Sequence, residues 1–171
     1  MSMQPEQAKF LLAYLMASVE SEYAITLKVL AAMPAGKEDY RPDPKSMNAL
    51  DLAWHIASAD WWFLTGIAKG GFPSEEGKRP AEITNAAQVV EWYKANVPPA
   101  IEKVKGLGGE ALTKTIDFFG VVQLSAVEYL SLQVVHTVHH RGQLSTYLRP
   151  MGGKVPSIYG GSADEPFQMP A

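Results

Sequence analysis

Apolar residues recur every three or four positions over long stretches of the chain, which is typical of helices with one buried face. The first stretch, "FLLAYLMASVESEYAITLKVLAAM", has no internal glycine or proline and predicts helix one, ending before Pro34. Its predicted buried face consists of Phe10, Tyr14, Leu15, Val19, Ile25, Val29 and Leu30. The loop "PAGKEDYRPDPKS" follows, and Ser46 is the expected N-cap of helix two, which runs to about Lys69.

Helix three is expected to begin after Asn85, because a glutamine three residues later completes the pattern of a capping box. Pro98 and Pro99 lack the backbone N–H of a regular helix and therefore predict a kink or a break. The segment "ALTKTIDFFG", between Gly108 and Gly120, is rich in β-branched and aromatic residues. We expect an extended connection there, too short to form a sheet.

The last periodic segment, from about Val122 to Arg149, predicts helix four. Its apolar stripe steps by three and four residues through Tyr129, Leu132, His136, His140, Leu144 and Tyr147. The tail "PMGGKVPSIYGGSADEPFQMPA" is rich in glycine and proline and predicts irregular structure. These elements predict an all-α fold, an antiparallel four-helix bundle with long loops and an irregular C-terminal tail, in one domain over residues 1–171.

Composition and charge limit the classes of function that this chain can have. The chain has 171 residues, 47% of them hydrophobic and 19% charged, which is typical of a globular protein that folds by itself. It has no cysteine, so any metal ion must be held by histidine, aspartate or glutamate. A net charge of -3 and scattered basic residues do not favour nucleic acid. Because we find neither a leader pattern nor roughly 18 to 20 consecutive apolar residues, we expect a cytoplasmic protein without a membrane partner.

Three of the four histidines lie in one stretch, "VVHTVHHRGQL". His136 and His140 are four residues apart, so they share one helix face with Cβ atoms about 5–6 Å apart. His139 lies about 100° around the helix from His140, which predicts a place beside the site rather than ligation. His55, in "LDLAWHIASADWWF", falls on the core-facing side of helix two and would meet the pair if helices two and four pack together.

Three histidines with an open fourth position are typical of catalytic zinc. Nickel, copper, cobalt and iron also accept imidazole, and a histidine pair at this spacing also arises by chance on helices. Gln143 either hydrogen-bonds near the site or lies on the surface, and Asp60 either lies near the site or pairs with a basic residue such as Arg141. Three aromatic residues from the loops and the tail are candidates for the pocket wall: Phe72, Phe118 and Tyr159.

"ALDLAWHIASADWWF" and "HTVHHRGQL", with the four-helix pattern, resemble the DinB-like (DinB/YfiT) superfamily over nearly the whole chain. The resemblance implies that His55, His136 and His140 bind a divalent ion, zinc or nickel above all, and that His139 does not. It also implies a homodimer and a metal-dependent enzyme that transfers a low-molecular-weight thiol to an electrophile. Because the chain has no cysteine, the sulfur must belong to the substrate. The alternatives are a hydrolase that uses hydroxide instead of thiolate, and a metal-binding protein without turnover.

Overall fold

The computed structural model describes residues 3–74 and 77–167. The predictions for positions 75–76 of the loop after helix two and for the last four residues of the tail lie outside these ranges. Within them, the elements in chain order are α1 (Pro5–Ala31), α2 (Ala49–Lys69), α3 (Ala86–Lys105), α4 (Gly109–Thr113), β1 (Thr115–Phe118), β2 (Val122–Ser125) and α5 (Glu128–Leu148). The protein is therefore mostly helical, as predicted, and α5 corresponds to predicted helix four.

The buried face of α1 differs from the predicted one in its first half. Phe10 and Tyr14 are 78% and 70% exposed, whereas the face that packs inward consists of Ala8, Leu12, Met16, Val19, Glu22, Thr26, Val29 and Leu30. The first half of α1 is apolar on nearly every side, so periodicity alone does not select the buried stripe. The expectation for these two aromatic residues was wrong for that reason.

The helix α1 has 27 residues and is long and apolar enough to cross a membrane, contrary to the expectation that the chain has no such stretch. Among the described residues it is the one helix that meets this criterion. However, its buried face carries Glu22 and Thr26, both of which contact Arg141 of α5. A core helix of a soluble protein passes the same test of length and composition, and α1 packs one face against α3 and α5.

The two ends of α2 are set by local backbone chemistry. Its N-cap is Asn48 rather than the predicted Ser46, since the Asn48 side chain accepts a hydrogen bond from the backbone N–H of Asp51 at 2.7 Å. At the other end Gly70 adopts a left-handed conformation with φ 72°, which stops the helix just after the predicted last residue.

The helix α3 begins as predicted and continues through its two prolines. The Asn85 side chain accepts from the N–H of Gln88 at 3.0 Å. Pro98 and Pro99 lie inside one uninterrupted helix, so the expected break does not occur. Residues on both sides of the prolines are buried in the apolar core, and we attribute the continuity to that packing: Val97, Ala100, Ile101 and Val104.

A β-hairpin replaces the predicted extended connection and the predicted start of helix four. The strands β1 and β2 pair antiparallel, with Thr115 opposite Ser125 and Phe118 opposite Val122. The last helix begins only at Glu128, whose side chain accepts from the backbone N–H and the hydroxyl of Ser125 at 2.8 and 2.6 Å. The residues "SAVE" have Ser and Glu at the spacing of a capping box, although the N-cap residue of this helix is Val127 and makes no side-chain cap hydrogen bond.

The four long helices surround the core. α1 and α2 each pack against both α3 and α5, while α4 packs against α1. The described tail after Met151 has no helix or strand, in agreement with the prediction. The contact between α2 and α5 matters most for function, because these two helices carry all four histidines.

Candidate metal centre

Three imidazoles converge where α2 faces α5. The ring centre of His55 lies 4.4 Å from that of His140 and 5.1 Å from that of His136, and the rings of His136 and His140 are 4.4 Å apart. One ring nitrogen of each residue lies within 4.8 Å of the others, and all three side chains are half-buried. Helical spacing places His136 and His140 on one face of α5, and the packing of α2 against α5 brings His55 next to them.

This donor set fits a divalent metal ion. Neutral imidazole nitrogens bind zinc at about 2.0–2.1 Å and also suit nickel, copper and iron. No carboxylate belongs to the cluster in the part of the chain that the structure describes. Three nitrogen ligands leave a coordination position for an exogenous molecule, which is the arrangement of catalytic rather than structural zinc sites. The cluster can hold a metal ion, and its half-buried position leaves access from outside.

Gln143 orients His140. The Oε1 atom of Gln143 lies 2.8 Å from Nδ1 of His140, so that Nδ1–H can donate while Nε2 is left as the ligand atom. The Nε2 atom of Gln143 lies 3.2 Å from Nε2 of His139. His139 is exposed and stands beside His140, with the two ring centres 4.8 Å apart. The structure thus places Gln143 and His139 next to the cluster and outside it.

Asp60 is buried between three helices, with 2% of its surface exposed. Its carboxylate accepts hydrogen bonds from Gln133 Nε2 at 2.7 Å, from the Tyr93 hydroxyl at 2.6 Å and from the Thr137 hydroxyl. Burial raises the pKa of Asp60, while these hydrogen bonds oppose the rise. Because Thr137 follows His136 in sequence, the carboxylate joins α2 to α5 directly beside the histidine cluster.

Arg141 does not pair with Asp60, so that predicted alternative was wrong. Its buried guanidinium pairs with the carboxylate of Glu22 and donates to Thr26 Oγ1 at 3.2 Å and to the Tyr159 hydroxyl. The Tyr159 hydroxyl donates to Glu22, and its ring centre lies 5.2 Å from the guanidinium carbon. Tyr159 therefore fastens the tail to α1 and α5. Glu22, which sequence reasoning missed, was recognisable as an acidic residue within the apolar stripe of helix one.

Of the two phenylalanines expected in the pocket wall, Phe118 lines a cavity beside His136, whereas Phe72 packs against the Trp62 ring and is not among the residues that line this cavity. Phe118 and His136 line one cavity of about 300 Å³ together with Trp62. Phe72 stacks on Trp62, with ring centres 4.6 Å apart. The hairpin and the loop after α2 thus bring aromatic rings to the metal candidate.

Two helices of this mostly helical protein bring three imidazoles together. The fold and the site therefore define a helical protein with a candidate three-histidine metal centre. The chain belongs to the DinB family, since the family model matches residues 3–168. The resemblance inferred from the sequence is confirmed.

Known relatives agree with this assignment. The uncharacterized protein YjoA of Bacillus subtilis (strain 168) is 27% identical over 115 residues, which span 66% of this chain and 73% of that protein. The crystal structure of DinB-like YjoA from the same species superimposes with a TM-score of 0.68 at 23% identity, over 82% of this chain and 94% of that one. A DinB-like protein from Bacillus cereus ATCC 10987 gives a TM-score of 0.72 at 25% identity, over 85% and 95% of the two chains. These likenesses support the fold.

Proposed function

We propose that this protein is a metal-dependent enzyme that transfers a small-molecule thiol to an electrophile, with His55, His136 and His140 binding a zinc- or nickel-type divalent ion. The observation that carries the proposal is the convergence of three half-buried imidazoles next to an apolar cavity. A bound divalent ion favours the thiolate form of a thiol near neutral pH. Because the chain contains no cysteine, the attacking sulfur belongs to the substrate.

The residues around the cluster support this chemistry by positioning and by exclusion of water. Gln143 fixes the ring of His140, and the Phe63 ring centre lies 5.4 Å from that of His136 on the cavity side. In the reaction, the substrate thiol loses its proton to solvent and its sulfur forms a bond to an electrophilic carbon. That carbon releases its leaving group with the bonding electron pair. An apolar surrounding disfavours competing attack by water.

A thiol-conjugation assay tests the proposal. The zinc-loaded and nickel-loaded protein is incubated with mycothiol, bacillithiol or glutathione and 1-chloro-2,4-dinitrobenzene, and the coloured thioether is followed by absorbance. At least one thiol should react about a hundredfold faster with loaded than with metal-free protein, since metal stabilisation of charge is worth several kcal/mol. Equal rates with and without metal contradict the proposal. Ester hydrolysis without any thiol would favour the hydrolase, and no turnover of either kind would favour a metal-binding protein.

We also propose that the four long helices form an antiparallel bundle in one domain, and that the protein works in the cytoplasm. The pairwise packing of α1 and α2 against both α3 and α5 supports the bundle. The absence of cysteine is compatible with a reducing compartment.

Finally, we propose a homodimer, supported by the exposed aromatic residues on one face of α1. Phe10 and Tyr14, four residues apart, are far more exposed than aromatic side chains of a monomer usually are. Sedimentation at micromolar concentration should show a mass of two chains, and Tyr14→Glu should shift it toward one. A wild-type mass of one chain contradicts the dimer.

A further inference from the structure

The cavity beside His136 is lined by aromatic side chains from two separate segments of the chain. Trp62 and Phe63 belong to α2, whereas Phe118 and Phe119 belong to the hairpin. Each ring of α2 is nearly parallel to one ring of the hairpin. The planes of Trp62 and Phe119 differ by 23° and those of Phe63 and Phe118 by 9°, and the ring centres of each pair are 6.2 Å apart. The cavity is therefore bordered by two pairs of nearly parallel rings.

The remainder of the lining carries little polarity and no charged carboxylate, ammonium or guanidinium group. Ala59 and the exposed Ser74 also line the cavity, so one hydroxyl-bearing side chain accompanies the rings. No aspartate, glutamate, lysine or arginine among the described residues lines it. The volume is about 300 Å³, whereas an apolar cavity of about 150 Å³ already accommodates benzene. The cavity thus has room for one aromatic ring with a short substituent.

The two rings from α2 form a wall that is fixed before any ligand binds. Trp62 and Phe63 are both buried. Phe72 stacks on the Trp62 ring, with ring centres 4.6 Å apart. Phe72 fits there because Gly66 has no side chain, and a Cβ atom at that position would overlap the Phe72 ring. A wall that is already in place lowers the entropic cost of binding.

The hairpin supplies its second ring from a strained position in the turn. Phe119 has φ 54°, Gly120 has φ 74°, and the N–H of Val121 donates to the carbonyl oxygen of Phe118 at 2.9 Å. This is the pattern of a two-residue type I′ turn, in which asparagine or aspartate usually precedes the glycine. A bulky residue at positive φ is uncommon, and Phe119 is 51% exposed, so packing in the core does not account for it. Backbone strain of this kind clusters at ligand sites.

We propose that the cavity binds an aromatic ring of the electrophile, and that Phe119 determines a preference for aromatic over aliphatic electrophiles. The role as an electrophile site rests on the proposed function, whereas the fit of the ring depends only on the cavity. An aromatic ring gains offset-stacked and edge contacts with the four rings of the wall, which a saturated ring does not. Because His136 also lines the cavity, the reactive carbon attached to a bound ring is brought next to the metal candidate.

Ring-selective binding is measured first, without thiol or turnover. The ¹⁵N-labelled full-length protein is titrated with acetanilide and, in parallel, with N-cyclohexylacetamide, whose ring is saturated, and NMR chemical shifts give the two affinities. Acetanilide should bind about fivefold more tightly, which corresponds to about 1 kcal/mol and lies in the range for aromatic pairs. Equal affinities in the wild type would overturn the proposal.

Phe119→Asn separates the effect of the ring from folding. Asparagine accepts the positive φ, so the thermal midpoint should not fall, while the preference for acetanilide should decrease to about twofold. Val121→Ala is the matched control, because Val121 is exposed in the same hairpin and lies outside the described lining of the cavity. It should keep the wild-type preference. A wild-type preference in Phe119→Asn, or an equal decrease in Val121→Ala, would contradict the role of Phe119.

Turnover of a matched pair of electrophiles gives the second readout. Iodoacetanilide and N-cyclohexyl-2-iodoacetamide have the same reacting carbon. The thiol sulfur bonds to this carbon, iodide leaves with the bonding electron pair, and the thiol proton goes to solvent. The chain has no cysteine, so neither reagent alkylates a protein thiol. With mycothiol, bacillithiol or glutathione, kcat/KM of the zinc-loaded protein divided by the uncatalysed rate constant should favour iodoacetanilide about fivefold, and about twofold in Phe119→Asn.

The two measurements separate this inference from the proposed function. Ring-selective binding of acetanilide without any conjugation contradicts the transferase alone. Conjugation with equal kcat/KM for the two iodoacetamides, after the same correction, contradicts the aromatic site alone.

Discussion

Replacement of His55, His136 or His140 by alanine, one at a time, should abolish stoichiometric metal binding. Each imidazole supplies one of three nitrogen ligands, and one ring nitrogen of each lies within 4.8 Å of the others. Loss of a ligand should cost at least about a hundredfold in affinity, because loss of a residue that only orients a ligand already costs about 10–100-fold. Metal content after dialysis, by mass spectrometry, and titration against a chromogenic chelator measure the effect.

Two neighbouring residues supply the matched controls for this experiment. His139→Ala should retain one metal ion per chain, because His139 lies outside the cluster on the exposed side of α5. Gln143→Ala should give an intermediate result, a loss of about 10–100-fold, since it frees the ring of His140 without removing a ligand. Unchanged metal content in all three ligand variants contradicts the assignment.

The sequence was sufficient for this site because helical geometry is local. A spacing of four residues places His136 and His140 on one face of any helix, and the apolar stripe of α2 turns His55 toward the interior. The orientation of His140 by Gln143 follows from the same local rule at a spacing of three residues. Only the contact between α2 and α5 could not be predicted from local spacing, because it depends on the tertiary fold.

Features that depend on contacts between distant segments could not be predicted from local residue spacing. The pairing of Arg141 with Glu22 joins residues 119 positions apart, so sequence spacing gave no reason to prefer Glu22 over Asp60. The strands of the hairpin have four residues each, and their turn has Phe119 where asparagine or glycine usually marks such a turn. In α1, apolar residues on several sides concealed which stripe is buried.

Asp60→Ala should lower the free energy of unfolding by about 3–5 kcal/mol. The substitution removes the acceptor for Gln133 Nε2 and the hydroxyls of Tyr93 and Thr137, and all three partners are buried. Thr137 can still donate to the Gln133 carbonyl oxygen at 3.0 Å, so the penalty falls mainly on the other two donors. Urea denaturation followed by circular dichroism measures the change. A loss below 1 kcal/mol contradicts this role.

Asp39→Ala is the matched control, because Asp39 is exposed and its removal should change stability by no more than about 0.5 kcal/mol. The role of Asp60 in the metal site is tested by Asp60→Asn, which keeps the size of the side chain and one acceptor oxygen. If the carboxylate holds α5 in register beside His136, this variant should fold, yet bind zinc more weakly than the wild type. Wild-type zinc affinity in a folded Asp60→Asn protein would show that the buried carboxylate contributes to stability alone.

Zinc binding should also raise the free energy of unfolding, so the zinc affinity and the stability of each variant can be compared in one experiment. A ligand at a hundred times its Kd stabilises the native state by about 2.7 kcal/mol, provided that it binds only the folded chain. The wild type should gain about this amount in urea denaturation when such a zinc concentration is present. Asp60→Asn should gain less at the same zinc concentration, because its Kd is higher and the stabilisation depends on the ratio of zinc concentration to Kd. If zinc raises the free energy of unfolding equally in both proteins, then the Asp60 carboxylate does not control the positions of the three imidazoles.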